Sequence, residues 1–109
     1  MASVSDSTAR RIKARDGFVC VYCAADLTAN PSVAEVDHVT PRAWFADGSA
    51  AGNPDDAANL VTACAPCNNR KGVMDLATFA FYLRARYGVD TRPMVRRVNA
   101  ARRRPLPST

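Results

Sequence analysis

The chain lacks any apolar run near the roughly 18–20 residues that a membrane-spanning helix needs. No apolar stretch follows the charges of residues 1–16, so a secretory signal is not expected. Both absences point to a cytoplasmic protein with no membrane partner. Histidine is nearly absent too: His38 is the only imidazole in 109 residues. Lysine is almost as scarce, with two residues against thirteen arginines. Without export, four cysteines are not expected to pair as disulfides, because reducing compartments keep thiols reduced.

Acid is missing from one end. Residues 92–109 carry six arginines and no Asp or Glu, whereas residues 1–91 carry nine basic and ten acidic side chains, a net of −1. The overall charge of +5 therefore resides in the C-terminal segment. A division follows into a main domain, 1–91, and a basic arginine-rich C-terminal tail, 92–109. Such a tail suits a phosphate backbone. Arg96, Arg97, Arg102, Arg103 and Arg104 are its candidate nucleic-acid contacts, and removing it is expected to weaken nucleic-acid binding and flatten its salt dependence while leaving any active site intact. The plainer reading is a solvated charged tail.

What is present reads as an α+β chain with short elements. Ser5 to Asp16 predicts a capped helix stopped by Gly17. Val33 to Val39 alternates in the manner of a strand, ended by Pro41. Asn59 to Thr62 predicts a second strand, and Ala65 to Gly72 a helix. Asp75 predicts the cap of another helix, which runs to Tyr87 with Gly88 beyond it. Leu76, Phe79, Ala80, Leu83 and Tyr87 share one face of it, a core stripe. Ala46 to Ala58 is small, polar and turn-rich, a surface loop. A basic helix after Pro93, ended by Pro105, is expected within the tail.

The cysteines come as two Cys-x-x-Cys pairs, Cys20/Cys23 and Cys64/Cys67. A two-residue spacer lets both sulfurs of a turn reach one ion, and four thiolates suit tetrahedral Zn²⁺. A redox dithiol would need a strand–helix–strand setting that this chain lacks. Structural zinc is the expectation, with the His38 segment and the second strand enclosed between the two knuckles. In a domain this small, metal binding also contributes folding energy.

Val36-Asp37-His38-Val39-Thr40-Pro41-Arg42, followed by Asn59-Leu60-Val61 and by Cys64-x-x-Cys67-Asn68-Asn69-Arg70-Lys71-Gly72, resembles the HNH endonuclease family over about residues 10–75. The resemblance implies a ββα-metal (His-Me finger) core braced by two zinc knuckles and flanked by helices. It implies DNA as partner and phosphodiester hydrolysis with 5′-phosphate and 3′-hydroxyl products. By the same resemblance His38 corresponds to the general base, a role suited to an imidazole titrating near ~6.5. Asp37 and Asn68 correspond to ligands of a catalytic cation, and their oxygen donors favour Mg²⁺ or Mn²⁺.

Asn59 corresponds to the middle residue of the motif, holding the hairpin or fixing the imidazole. Arg42, Arg70 and Lys71 flank the site as candidate phosphate contacts. Many small relatives of this kind occur in phages and bacterial mobile elements, so the setting implied for a phage-encoded chain is the host cytoplasm, with a phage packaging protein as a conceivable partner. The competing expectation is a non-catalytic, zinc-stabilised DNA-binding module. Such a module has no need of Asp37, His38, Asn59 and Asn68 together.

Overall fold

Two short antiparallel strands lie at the centre of the molecule, and three helices pack on them. The computed structural model describes residues 4–108. Strand β1 (Ala34–His38) pairs with β2 (Leu60–Cys64) in a register that sets Ala34 opposite Cys64, Asp37 opposite Val61 and His38 opposite Leu60. All five residues of β2 are buried, because helix α1 (Asp6–Arg15), helix α3 (Ala65–Lys71) and helix α5 (Arg92–Arg103) all pack against it. Helix α2 (Arg42–Ala46) and helix α4 (Leu76–Tyr87) complete the order α1-β1-α2-β2-α3-α4-α5. The class is α+β, with the hairpin followed directly by α3, as expected of a ββα core.

Local chemistry sets most boundaries. Ser5 caps α1 by accepting a hydrogen bond from Thr8 N, and Asp75 caps α4 by accepting one from Thr78 N. Each such cap is worth about 1 kcal/mol. Gly88, at φ +68°, ends α4 in the left-handed conformation that glycine adopts without steric cost. The short helix α2 was not expected from the sequence; it starts where Pro41 ends the strand path, since proline fits the entry to a helix but not a ladder.

Helix α1 is locked to the hairpin by a buried pair. Arg15 Nε donates to Asp16 Oδ1 at 2.8 Å, and Arg15 also reaches the carbonyls of Ala57 and Leu60. Asp16 Oδ2 in turn accepts from Thr62 N at 2.9 Å. Every donor and acceptor removed from water here is matched, which is the condition for burying such groups at all.

The segment 92–109 is not a tail. Its expected helix is present, but its apolar face belongs to the core: Met94, Val98 and Ala101 are buried with Val61, Ala63, Phe79 and Ala80. Composition concealed this, because three apolar residues at positions 94, 98 and 101 suffice to make a helix face while arginine dominates the remainder. Arg97 donates to the carbonyls of Val21 and Tyr22, Arg102 to that of Ala58, and Arg104 pairs with Asp16 at 3.4 Å. These three arginines spend donors inside the protein. The division at residue 92 is therefore not a packing boundary; residues 1–3 and 109 lie outside the described residues.

One further expectation is corrected. Phe79 and Ala80 are buried, and Leu76 and Leu83 pack at the edge of the core, but Tyr87 is half exposed. It sits in the last turn, edge-on to Tyr82 and with Arg70 and Arg86 over its ring.

Met94→Ala is expected to lower the unfolding free energy by about 2–5 kcal/mol, the usual range for truncating a buried methionine. Urea denaturation measures it. A change below about 0.5 kcal/mol, the size of an ordinary surface effect, would mean that α5 is an appendage.

Candidate metal and catalytic site

The residues from Phe18 to Leu27 form a tight knuckle. Cys20 N donates to Ala25 O and Ala24 N to Cys20 O, so the chain reverses within the Cys-x-x-Cys spacer. Ala24 adopts φ +67° to close the turn, an uncommon conformation for a residue with a Cβ. Val21 N donates to Thr62 O, which ties the knuckle to β2. Cys64 ends β2 and Cys67 lies in the first turn of α3, so hairpin and helix together present the second thiol pair.

All four sulfurs lie within 4.8 Å of one another, and Cys23 Sγ and Cys64 Sγ are 3.9 Å apart. Tetrahedral bonds of about 2.3 Å give sulfur–sulfur separations of about 3.8 Å. The cluster therefore fits one Zn²⁺. The thiols already share protons unevenly: the hydrogen bond from Cys67 pulls Cys20 down to about 4 and holds Cys67 up. The thiolate is the form that ligates a cation.

A second centre lies at the other end of β1. Asp37, His38 and Asn68 line one surface pocket of about 200 Å³, together with Val36, Pro41, Arg42 and Gly72. Strict strand alternation would have sent Asp37 and His38 to opposite faces. They share the pocket because His38 is the last residue of β1 and the chain turns away at Pro41. Both partners of Asp37 fall on Oδ2: the Tyr22 hydroxyl donates to it, and Lys71 Nζ lies 3.1 Å away. Oδ1 remains for another ligand. Asn68 Nδ2 donates to Glu35 Oε1 at 2.7 Å, which orients the amide and leaves its own Oδ1 as the acceptor.

Lys71 is corrected as a phosphate contact. Its side chain is 0 % exposed, with Nζ donating to His38 O at 2.9 Å and paired with Asp37. It lies beneath the site, and no backbone of nucleic acid can reach it. Burial lowers the affinity of Lys71 for its proton, opposed by Asp37, and burial raises that of Asp37, opposed by Lys71.

Among the described residues, the Asn59 side chain makes no hydrogen bond with His38. Its Oδ1 accepts from Thr40 N, and its Nδ2 donates to the carbonyls of Thr40 and Pro54. It is a buried clasp that closes the loop between the strands. The other candidate cations divide. Arg42 pairs with Asp55, and its Nε is buried with no hydrogen-bond partner among the described residues. Arg70, Arg96 and Arg103 are exposed, whereas Arg97, Arg102 and Arg104 are engaged as described. Sequence reasoning missed Tyr22, Glu35 and Asp55. Glu35 was within reach, because residues 35 and 37 share a face of a strand; Asp55 lay in a loop whose composition indicates turns and nothing else.

Two outcomes check the site. Cys20→Ser is expected to reduce bound zinc below one ion per chain and to lower the melting temperature; unchanged metal content by atomic emission would rule out the four-thiolate centre. Lys71→Met leaves Asp37 buried without its cation and is expected to cost about 3–5 kcal/mol near neutral pH. Folded Asp37 keeps its proton above its ordinary value of 3.8, so this group's contribution falls as pH rises from there. The variant's deficit should shrink as acid protonates Asp37. A deficit independent of pH would show that the ion pair is not its origin.

No curated protein matches the chain. A family model described as HNH endonuclease matches residues 20–73, about half of the sequence. The matched segment opens on the first thiol of the metal cluster, runs through the whole hairpin and α3, and closes one residue beyond Gly72, which lines the pocket. The chain belongs to the HNH endonuclease family, which implies a nuclease function.

Proposed function

We propose that this protein is a divalent-metal-dependent endonuclease that hydrolyses DNA phosphodiester bonds, leaving 5′-phosphate and 3′-hydroxyl ends. The observation that carries the reading is the meeting of Asp37, His38 and Asn68 in one pocket inside the family-matched segment. His38 is the general base that takes a proton from the attacking water. Base catalysis of this kind contributes ~10²–10⁴-fold.

Asp37 and Asn68 would hold the cation, Mg²⁺ or Mn²⁺, through hard oxygen donors. When bound, it neutralises charge on the scissile phosphate and stabilises the departing oxygen. Tyr22 and Lys71 keep the Asp37 carboxylate in place from below, and Glu35 does the same for the Asn68 amide. Arg42 lies on the pocket wall, where a guanidinium suits a phosphate oxygen. Zinc at the four thiols is structural.

DNA contact beyond the pocket falls to Arg70, Arg96 and Arg103, which project from the surface. Arg97, Arg102 and Arg104 already serve the fold. The competing reading, a zinc-stabilised DNA-binding module without chemistry, has no use for a pocket that gathers a carboxylate, an imidazole and an amide.

Supercoiled plasmid incubated with Mg²⁺ or Mn²⁺ is expected to be cut by the zinc-loaded protein, and His38→Ala to lose at least ~10²-fold in rate while remaining folded. Equal cutting by the variant would remove His38 as base. No cutting by folded wild type, on duplex or single strands, would favour the binding module.

A further inference from the structure

His38 Nε2 lies 2.8 Å from Asp55 Oδ1, and Arg42 Nη2 reaches both oxygens of that same carboxylate, at 2.6 and 2.7 Å. Asp55 comes from the turn-rich loop between α2 and β2, seventeen positions after His38. It is not a solvated loop tip. Its own N–H donates to Asn53 Oδ1 at 2.9 Å, and the carbonyl of its neighbour Pro54 accepts from Asn59 Nδ2 at 2.9 Å. Asp56 on the other side donates to Asn53 O and accepts from Asn59 N. The carboxylate is thus delivered to the imidazole by a loop that is pinned on both sides.

We propose that Asp55 is the positioning residue of His38. The inference rests on the nuclease reading above, with His38 as base. Asp55 stays ionised, because the His38 bond and then the Arg42 cation hold its carboxyl below the usual range. A carboxylate can only accept, so the ring must carry its proton on Nε2. That leaves Nδ1 as the nitrogen with a lone pair. When Nδ1 takes the proton of the attacking water the ring becomes a cation, and the adjacent carboxylate balances the new charge without itself gaining a proton. Two-thirds of the Asp55 side chain is shielded, with 37 % exposed, and His38 is at 17 %, so the pair is only partly screened by water.

The clamp also gives Asn59 a meaning in the reaction. Asn59 acts at one remove: it holds Pro54, Pro54 fixes the backbone at Asp55, and Asp55 fixes the ring. Arg42 then has two tasks at one position, bracing the carboxylate and facing the pocket.

The test uses the full zinc-loaded chain in three forms: wild type, Asp55→Asn and Asp55→Ala. In plasmid cleavage, kcat is expected to fall roughly 10- to 100-fold in both variants, a share of what a positioned base contributes. KM should not rise, because removing the carboxylate leaves the Arg42 charge in place. Added to His38→Ala, Asp55→Ala should cost nothing further, since two residues acting as a unit are not additive.

A second readout does not need activity. The chain has one histidine, so ¹⁵N NMR shows one imidazole. Wild type is expected to carry its neutral-form proton on Nε2, slowed in exchange with water, and Asp55→Ala to lose that protection. Wild-type cleavage with an unchanged kcat in Asp55→Asn and Asp55→Ala would overturn the inference alone, as would a wild-type proton on Nδ1. A folded wild type that cuts no DNA would overturn the nuclease reading, and the inference with it, whatever the NMR signal shows.

Discussion

Lys71 sets an ammonium group, wholly out of water, between the end of β1 and helix α3, and holds two acceptors with it: the carbonyl of His38 and the carboxylate of Asp37. Burying a charge costs several kcal/mol unless it is paired and hydrogen-bonded. The geometry that satisfies Lys71 also fixes the backbone at His38 and the side chain at Asp37. Tyr22, from the zinc knuckle, donates to the same Asp37 oxygen. Knuckle, strand end and helix therefore meet at one carboxylate. Few alternative arrangements would leave Lys71, the Asp37 carboxylate and the His38 carbonyl all satisfied, so the floor of the pocket inherits rigidity from their pairing.

Much of this was legible beforehand. The two thiol pairs announced a metal centre because the spacing is itself geometry: two residues between sulfurs make a turn. The strands around His38 and Leu60, the caps at Ser5 and Asp75 and the stop at Gly88 followed from periodicity and from residues whose local chemistry permits little else. Asp37, His38 and Asn68 could be nominated from order along the chain, although their shared pocket depends on β1 ending at His38. Asp55 was not legible. Its partners lie thirteen and seventeen residues away, and the loop's sequence says only that it turns.

Charge was the weakest guide. Arginine at 97, 102 and 104 and lysine at 71 look alike in a composition count, and all invite a phosphate. The structure spends them instead on carbonyl oxygens and carboxylates. Arginine serves this purpose well, since its flat fork of donors can bridge two successive carbonyls, as Arg97 does at Val21 and Tyr22. A count of basic residues records how many donors exist; only packing says how many still face outward.

The contacts of α5 also carry a consequence for how the molecule forms. Arg97 binds a knuckle carbonyl 76 positions earlier, Arg104 reaches Asp16 across 88, and Arg11 donates to Pro107 O across 96. Closing such distant pairs slows folding, because chain entropy is lost before the contacts reward it. At a synthesis rate of ~5–20 residues per second, the first thiol pair leaves the ribosome about 4–15 s before Arg97 does. For that interval the knuckle has neither its second pair of sulfurs for part of the time nor, throughout, the guanidinium that later braces it. The final assembly of this domain waits for α5.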